Sequence, residues 1–301
     1  MLSDLKAIEK RFREISVVSG KLMTLKASGS VKEAIEKNSE MFGLDTYLAS
    51  KVILDEINFY RKIAKDQRKN FEPTVSHQIS VIWMFSKLRS EDRTGKLVAF
   101  CHDWIEDRRD FLIRGGEWEE AEKERLFLEL RMEFREYLRK LGLKEKEQEA
   151  VFENVLALTR NRNESYASYV QNIVSESIES ADTNILIIKL IDKLHNSCSF
   201  LYGSSDKEEA LLRDAVKGIY IMKKAKESLK HLRANKRIKE LIELNMLKTA
   251  ENLGQLNQGK DAFFDGNSEE ALCSMLDKDK KWSNVPYSER ALMLNGILNR
   301  I

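Results

Sequence analysis

The chain has 301 residues, enough for one large domain or for a main domain with an appendage, and in either case for a sizeable core. Two prolines and thirteen glycines leave little material for strands and tight turns, so composition disfavours a β-rich fold and points to an all-α one. Fifty-one basic residues nearly balance forty-nine acidic ones, and a net charge of +2 supplies no general attraction to DNA, RNA or an anionic membrane.

Helical spacing of apolar residues begins over 5–26, and Ser30-Val31-Lys32-Glu33 resembles a capping box that opens a second helix. A third helix is predicted over 45–65, then a loop over 66–76 in which Lys69-Asn70-Phe71-Glu72-Pro73 breaks the pattern, then a helix carrying His77 through Leu88. Residues 90–95 form a polar connector. The next helix follows the apolar run Leu97-Val98-Ala99-Phe100-Cys101 and carries His102-Asp103-Trp104-Ile105-Glu106-Asp107. On one helix, His102 would lie beside Glu106 and Asp103 beside Asp107. A polar quartet carried against the interior needs a metal, a strong partner or a catalytic purpose.

Arg114-Gly115-Gly116 marks a turn, and residues 117–140 read as a charged amphipathic helix with a solvated face. Further helices are predicted over 146–158 and, after a polar segment at 159–168, over 184–196, where Ile and Leu surround Asp192 and Asn196 falls one turn beyond it. Two more fall between 206 and 246. Gly254, Gly259 and Gly266 suggest a looser connection, and 269–301 reads as a helical hairpin turning at Trp282 and Pro286. The expected organisation is an N-terminal extension over 1–44, a main domain over 45–246 and an appendage over 247–301.

Cys101, Cys198 and Cys273 are far apart and show no paired spacing, which points to a reducing compartment and away from a zinc knuckle. No apolar run reaches the length of a membrane span and no secretory signal opens the chain, so a cytoplasmic protein is expected.

Three separated segments offer metal-ligand side chains: His77, the pair His102-Asp103, and Asp192. Two imidazoles with two carboxylates suit manganese, iron or zinc and leave positions for water and substrate. Asp192 alone could instead pair with Lys189 or Lys193. Glu106 and Asp107 could accept a proton, or could pair with Arg108 and Arg109.

The order His77, His102-Asp103, Asp192 resembles the signature of the HD superfamily of metal-dependent phosphohydrolases. Several strings are similar to the hydrolase domain of the RelA/SpoT alarmone enzymes: Arg68-Lys69-Asn70-Phe71-Glu72-Pro73-Thr74-Val75-Ser76-His77, His102-Asp103-Trp104-Ile105-Glu106-Asp107, Thr159-Arg160 with Glu164-Ser165-Tyr166 and Tyr169, and Lys189-Leu190-Ile191-Asp192-Lys193-Leu194-His195-Asn196. The resemblance covers roughly residues 45 to 230. It implies an all-α HD-domain bundle and a manganese-dependent hydrolase that removes the 3′-pyrophosphate of guanosine tetra- or pentaphosphate. By the same resemblance His77, His102, Asp103 and Asp192 bind the metal, Glu106 and Asp107 position or activate water, Arg68 contacts the nucleotide and Asn196 its sugar. Thr74 stands where the family usually has an aromatic, and no synthetase signature follows residue 230. The alternatives are an HD phosphohydrolase acting on another nucleotide or phosphate ester, and a catalytically silent nucleotide-sensing or scaffold protein.

Overall fold

A computed structural model describes residues 4–26, 28–62, 73–114, 116–161, 163–199, 207–233, 235–257, 264, 266–277, 282 and 285–301. The described residues contain helices and no strand, as the scarcity of Gly and Pro predicts. No helix among them is long and apolar enough to cross a membrane.

The chain divides into two compact units, one formed by residues 12–160 and the other by 1–11 with 161–301. These edges differ from those expected at 45 and 246. Residue 246 lies inside a helix running Asn235–Asn257, which also contains Gly254, so the looser connection expected after Met246 does not begin there. A single glycine within a helix costs only about 1 kcal/mol, which packing readily offsets.

In the unit of residues 12–160, the part of α1 (Leu5–Thr24) from Phe12 onward leads to α2 (Ser28–Lys37), α3 (Thr46–Lys62), α4 (Thr74–Leu88), α5 (Arg93–Cys101), α6 (Trp104–Leu112), α7 (Glu120–Lys140) and α8 (Glu145–Leu158). Its centre is α4, buried from Thr74 to Phe85 with no solvated stripe over that span, its polar side chains included. Asp92 caps α5 by accepting from the Gly95 N–H at 2.7 Å. Gly95 also sets the closeness of α5 to α4: a Cβ there would stand 2.5 Å from Phe85 Cζ. The charged stretch over 117–140 is solvated as predicted. Leu126, Leu130, Phe134 and Leu138 of α7 face inward, while Arg135 and Glu149 pair on the surface at 2.6 Å.

The other unit holds α9 (Tyr166–Glu179), α10 (Asn184–Ser199), α11 (Lys207–Glu227), α12 (Asn235–Asn257), α13 (Ser268–Leu276) and α14 (Tyr287–Leu298); α9, α11 and α12 pack on α10, while α13 packs on α9 and α11 and α14 on α11 and α12. Ile185 through His195 of α10 are all buried. Asn245 and Asn252 of α12 donate side-chain hydrogen bonds to the Leu190 and Ser197 carbonyls at 3.1 and 2.9 Å. These bonds fix the register of the two helices.

Candidate metal centre

The six-residue string from His102 to Asp107 does not lie on one helix. α5 ends at Cys101 and α6 begins at Trp104, with Asp103 at φ −100°, ψ 2° between them. That conformation is close enough to helical for the apolar periodicity to pass through it, yet it turns His102 and Asp103 out of the regular face pattern.

The break brings three donor atoms together within the unit of residues 12–160. His77 Nε2 lies 3.1 Å from His102 Nε2 and 3.3 Å from Asp103 Oδ2, and His102 Nε2 lies 3.2 Å from the same oxygen. Both histidines are buried, His102 at 1% exposure, while Asp103 is 26% exposed at its side chain. His102 Nδ1 lies 2.9 Å from the Ala99 carbonyl oxygen. A carbonyl can only accept, so the Nδ1 proton sits in that bond, which leaves Nε2 to face the cluster. Burial works to raise the Asp103 carboxyl, but His102 and then His77 outweigh it and hold the group well below the usual carboxylate range.

These separations fit a divalent ion. Donors bound at about 2.1 Å lie about 3.0 Å apart at right angles and about 3.4 Å apart at tetrahedral angles. The observed 3.1 to 3.3 Å falls between the two.

Asp192 belongs to the other unit, and like His77 and His102 it is a buried metal-ligand type. Within its own unit it is compensated by its neighbours: Lys189 Nζ lies 2.9 Å and Lys193 Nζ 3.7 Å from Oδ2, and Asn196 Nδ2 donates to Oδ1 at 2.7 Å. Burial works against the Lys193 ammonium, but Asp192 and Asp214 outweigh it and hold the group above its usual range. Asn196 does share the Asp192 face, and the lysine pairing open from sequence is realised with both lysines. His195 is fully buried and close to Ser199, and Tyr166 and Tyr169 are buried aromatics of α9.

The two carboxylates expected to handle water are both tied to the scaffold. Glu106 Oε1 accepts from the Arg160 N–H at 2.7 Å, and Arg109 Nη1 donates to the Arg160 carbonyl at 2.9 Å. Asp107 Oδ2 accepts from the Tyr60 hydroxyl at 2.6 Å, and the Tyr60 oxygen in turn accepts from Gln78 Nε2 at 2.7 Å. Arg108 pairs with neither carboxylate. It lies between the Phe59 and Trp104 rings, 4.1 and 3.7 Å from their centroids, and binds Glu56 at 3.1 Å and Asp55 at 3.3 Å. Burial pushes Glu56 up to about 7, despite Arg108. Arg68, expected to contact nucleotide, lies outside the described residues.

Sequence reasoning missed Tyr60, Gln78, Glu56 and the Ala99 carbonyl. A signal existed for two of them. Glu56 and Tyr60 fall at helical spacing on the same face of α3 as Val52, Ile53 and Ile57, and polar groups on an apolar face mark a buried interaction. Compared with protein-family models, with curated proteins and with solved structures, the chain matches none.

Proposed function

We propose that the chain is a divalent-metal-dependent phosphohydrolase of the HD type that removes the 3′-pyrophosphate of guanosine tetra- or pentaphosphate, with manganese as its metal. The observation that carries this reading is the convergence of His77 Nε2, His102 Nε2 and Asp103 Oδ2 within 3.3 Å, with the His102 Nδ1 proton committed to Ala99. Two imidazole nitrogens and a carboxylate oxygen packed this closely need a shared proton or a cation between them. The substrate class rests on the resemblance of the surrounding strings to the alarmone hydrolases.

A divalent ion held there supplies Lewis acidity toward a phosphoryl oxygen and lowers the pKa of bound water. His77, His102 and Asp103 hold it, and the resemblance adds Asp192 as a further ligand, a role its buried carboxylate suits. Asp107, fixed through one oxygen by Tyr60, is the carboxylate that accepts a proton from the attacking water. Glu106, held to the Arg160 peptide, orients that water. Asn196 acts first on Asp192, to which its amide is bonded.

The test is elemental analysis of the purified chain, coupled to pyrophosphate release from guanosine tetraphosphate with manganese. The wild type should carry metal and turn the substrate over, and Asp103→Ala should lose both. Metal-loaded protein that leaves guanosine tetraphosphate intact but cleaves a nucleoside 5′-monophosphate or another phosphate ester overturns the substrate. Protein that binds nucleotide without metal or turnover overturns the enzyme and favours the sensing role.

A further inference from the structure

The contact between Tyr60 and Asp107 connects two helices through a chain of donors with a defined direction. Gln78 sits on α4 beside His77, and its Nε2 donates to the Tyr60 oxygen at 2.7 Å. The Tyr60 hydroxyl then donates to Asp107 Oδ2 at 2.6 Å. Because the Gln78 amide gives a proton to the Tyr60 oxygen, the hydroxyl hydrogen is left to point at the carboxylate. Each bond polarises the next in a buried setting. At 2.6 Å the second is in the range of a hydrogen bond to an ionised acceptor.

We infer that Tyr60 is a positioning residue for Asp107: anchored by Gln78 on the helix that carries His77, it fixes the orientation of the carboxylate relative to the His77, His102 and Asp103 donors. The inference rests on the proposed phosphohydrolase reading and deepens it. Three further observations support it. Tyr60 is fully buried, so its hydroxyl cannot exchange this partner for solvent. Burial, with Asp107 and Glu56 next in effect, holds the phenol well above its usual range, so it remains a donor wherever the enzyme works. Gln78 Oε1 is buried with no hydrogen-bond partner, so the amide is oriented by the bond it makes to Tyr60 at the expense of its own acceptor.

A purely structural tyrosine would change stability alone. A positioning tyrosine changes turnover while leaving metal and substrate binding in place. The test combines two readouts on metal-loaded full-length protein. The first is proton NMR: a buried hydroxyl bonded to a carboxylate should give a slowly exchanging resonance downfield of the amides, absent in Tyr60→Phe and moved upfield in Asp107→Asn. The second is steady-state hydrolysis of guanosine tetraphosphate, in which Tyr60→Phe should lower kcat about tenfold or more, shift KM less than about twofold and leave metal content unchanged.

Should the single variant unfold because Gln78 Nε2 is left unpaired, Tyr60→Phe with Gln78→Leu removes both polar groups and is expected to give the same kinetic loss. A resonance present in the wild type with kcat unchanged in an active Tyr60→Phe overturns the positioning role. Absence of the resonance overturns the hydrogen-bond chain itself. Wild type that keeps the resonance but hydrolyses no phosphate ester sinks the phosphohydrolase reading and, with it, any catalytic part for Tyr60.

Discussion

α4 and α10 are the two most completely buried helices described, and each carries a candidate ligand, His77 in the first turn of α4 and Asp192 near the middle of α10, yet they treat that polar group in opposite ways. α10 compensates Asp192 from its own sequence, with Lys189 and Lys193 one turn before and one residue after it, and Asn196 one turn on. α4 supplies His77 without a lysine of that kind and places it against His102 and Asp103 from the α5–α6 break. Burial alone therefore does not identify a metal ligand. The informative difference is the source of the counter-charge: α10 draws it from its own sequence, whereas His77 meets the Asp103 carboxylate from another segment.

The comparison can be broken most decisively at the donor cluster. His102→Ala and Asp103→Ala are each expected to lose bound metal and to lower pyrophosphate release by about a thousandfold or more, as removal of a reaction's electrophile does. Manganese at about a hundred times its dissociation constant should stabilise the wild type by about 2.7 kcal/mol and these variants not at all, a contrast that differential scanning calorimetry measures. Equal stabilisation of wild type and Asp103→Ala would remove the metal from this cluster.

Asp192→Asn tests the other helix. It leaves two buried lysines short of a partner, and breaking a buried pair from one side costs about 3 kcal/mol. The loss should appear in urea denaturation with manganese absent, and Lys189→Met in the same chain should recover part of it. A stability unchanged by Asp192→Asn would mean that α10 does not depend on its own compensation.

Glu56 sharpens the comparison because it is buried against an arginine and is still raised from 4.5 to about 7. The folded chain keeps a proton there that the unfolded chain releases near 4.5. The stabilising contribution is thus fully present below about 4.5 and is lost as pH rises through about 7. The gap is worth roughly 3 kcal/mol. Glu56→Gln should remove that loss, so the stability difference between variant and wild type should grow in favour of the variant from pH 4.5 to pH 8. A difference that stays constant with pH would show that folding does not raise the Glu56 pKa.

The smallest effect is expected at Asn196→Ala, which removes one hydrogen bond to a charged group and should cost about 1.5 kcal/mol by denaturant midpoint. A cost equal to that of Asp192→Asn would make the amide, and not the lysines, the main support of the carboxylate.

Most helices are legible in the sequence because their apolar spacing is regular. The α10 core was readable for a second reason: Asp192 inside an Ile and Leu run, with lysines three before and one after, already describes a local charge balance. The α5–α6 break was not readable. No glycine or proline marks it, and the torsions of Asp103 depart from helical values by too little to disturb the hydrophobic pattern. Nor could the string show that its two later carboxylates would be claimed by groups far away in sequence, Glu106 by the Arg160 peptide and Asp107 by Tyr60. Interactions of that kind depend on tertiary packing. The helix that continues past Met246 has a related cause, since Gly254 looks like punctuation in sequence but lies within α12.

The grip on Arg160 bears on which substitutions this chain can accept. Glu106 and Arg109 hold the N–H and the carbonyl of that residue, and those groups are common to nearly every amino acid. As far as this clamp is concerned, position 160 is open to exchange of its side chain and closed chiefly to proline, which has no N–H to offer. The two residues that do the holding, Glu106 and Arg109, carry the chemical requirement in its place.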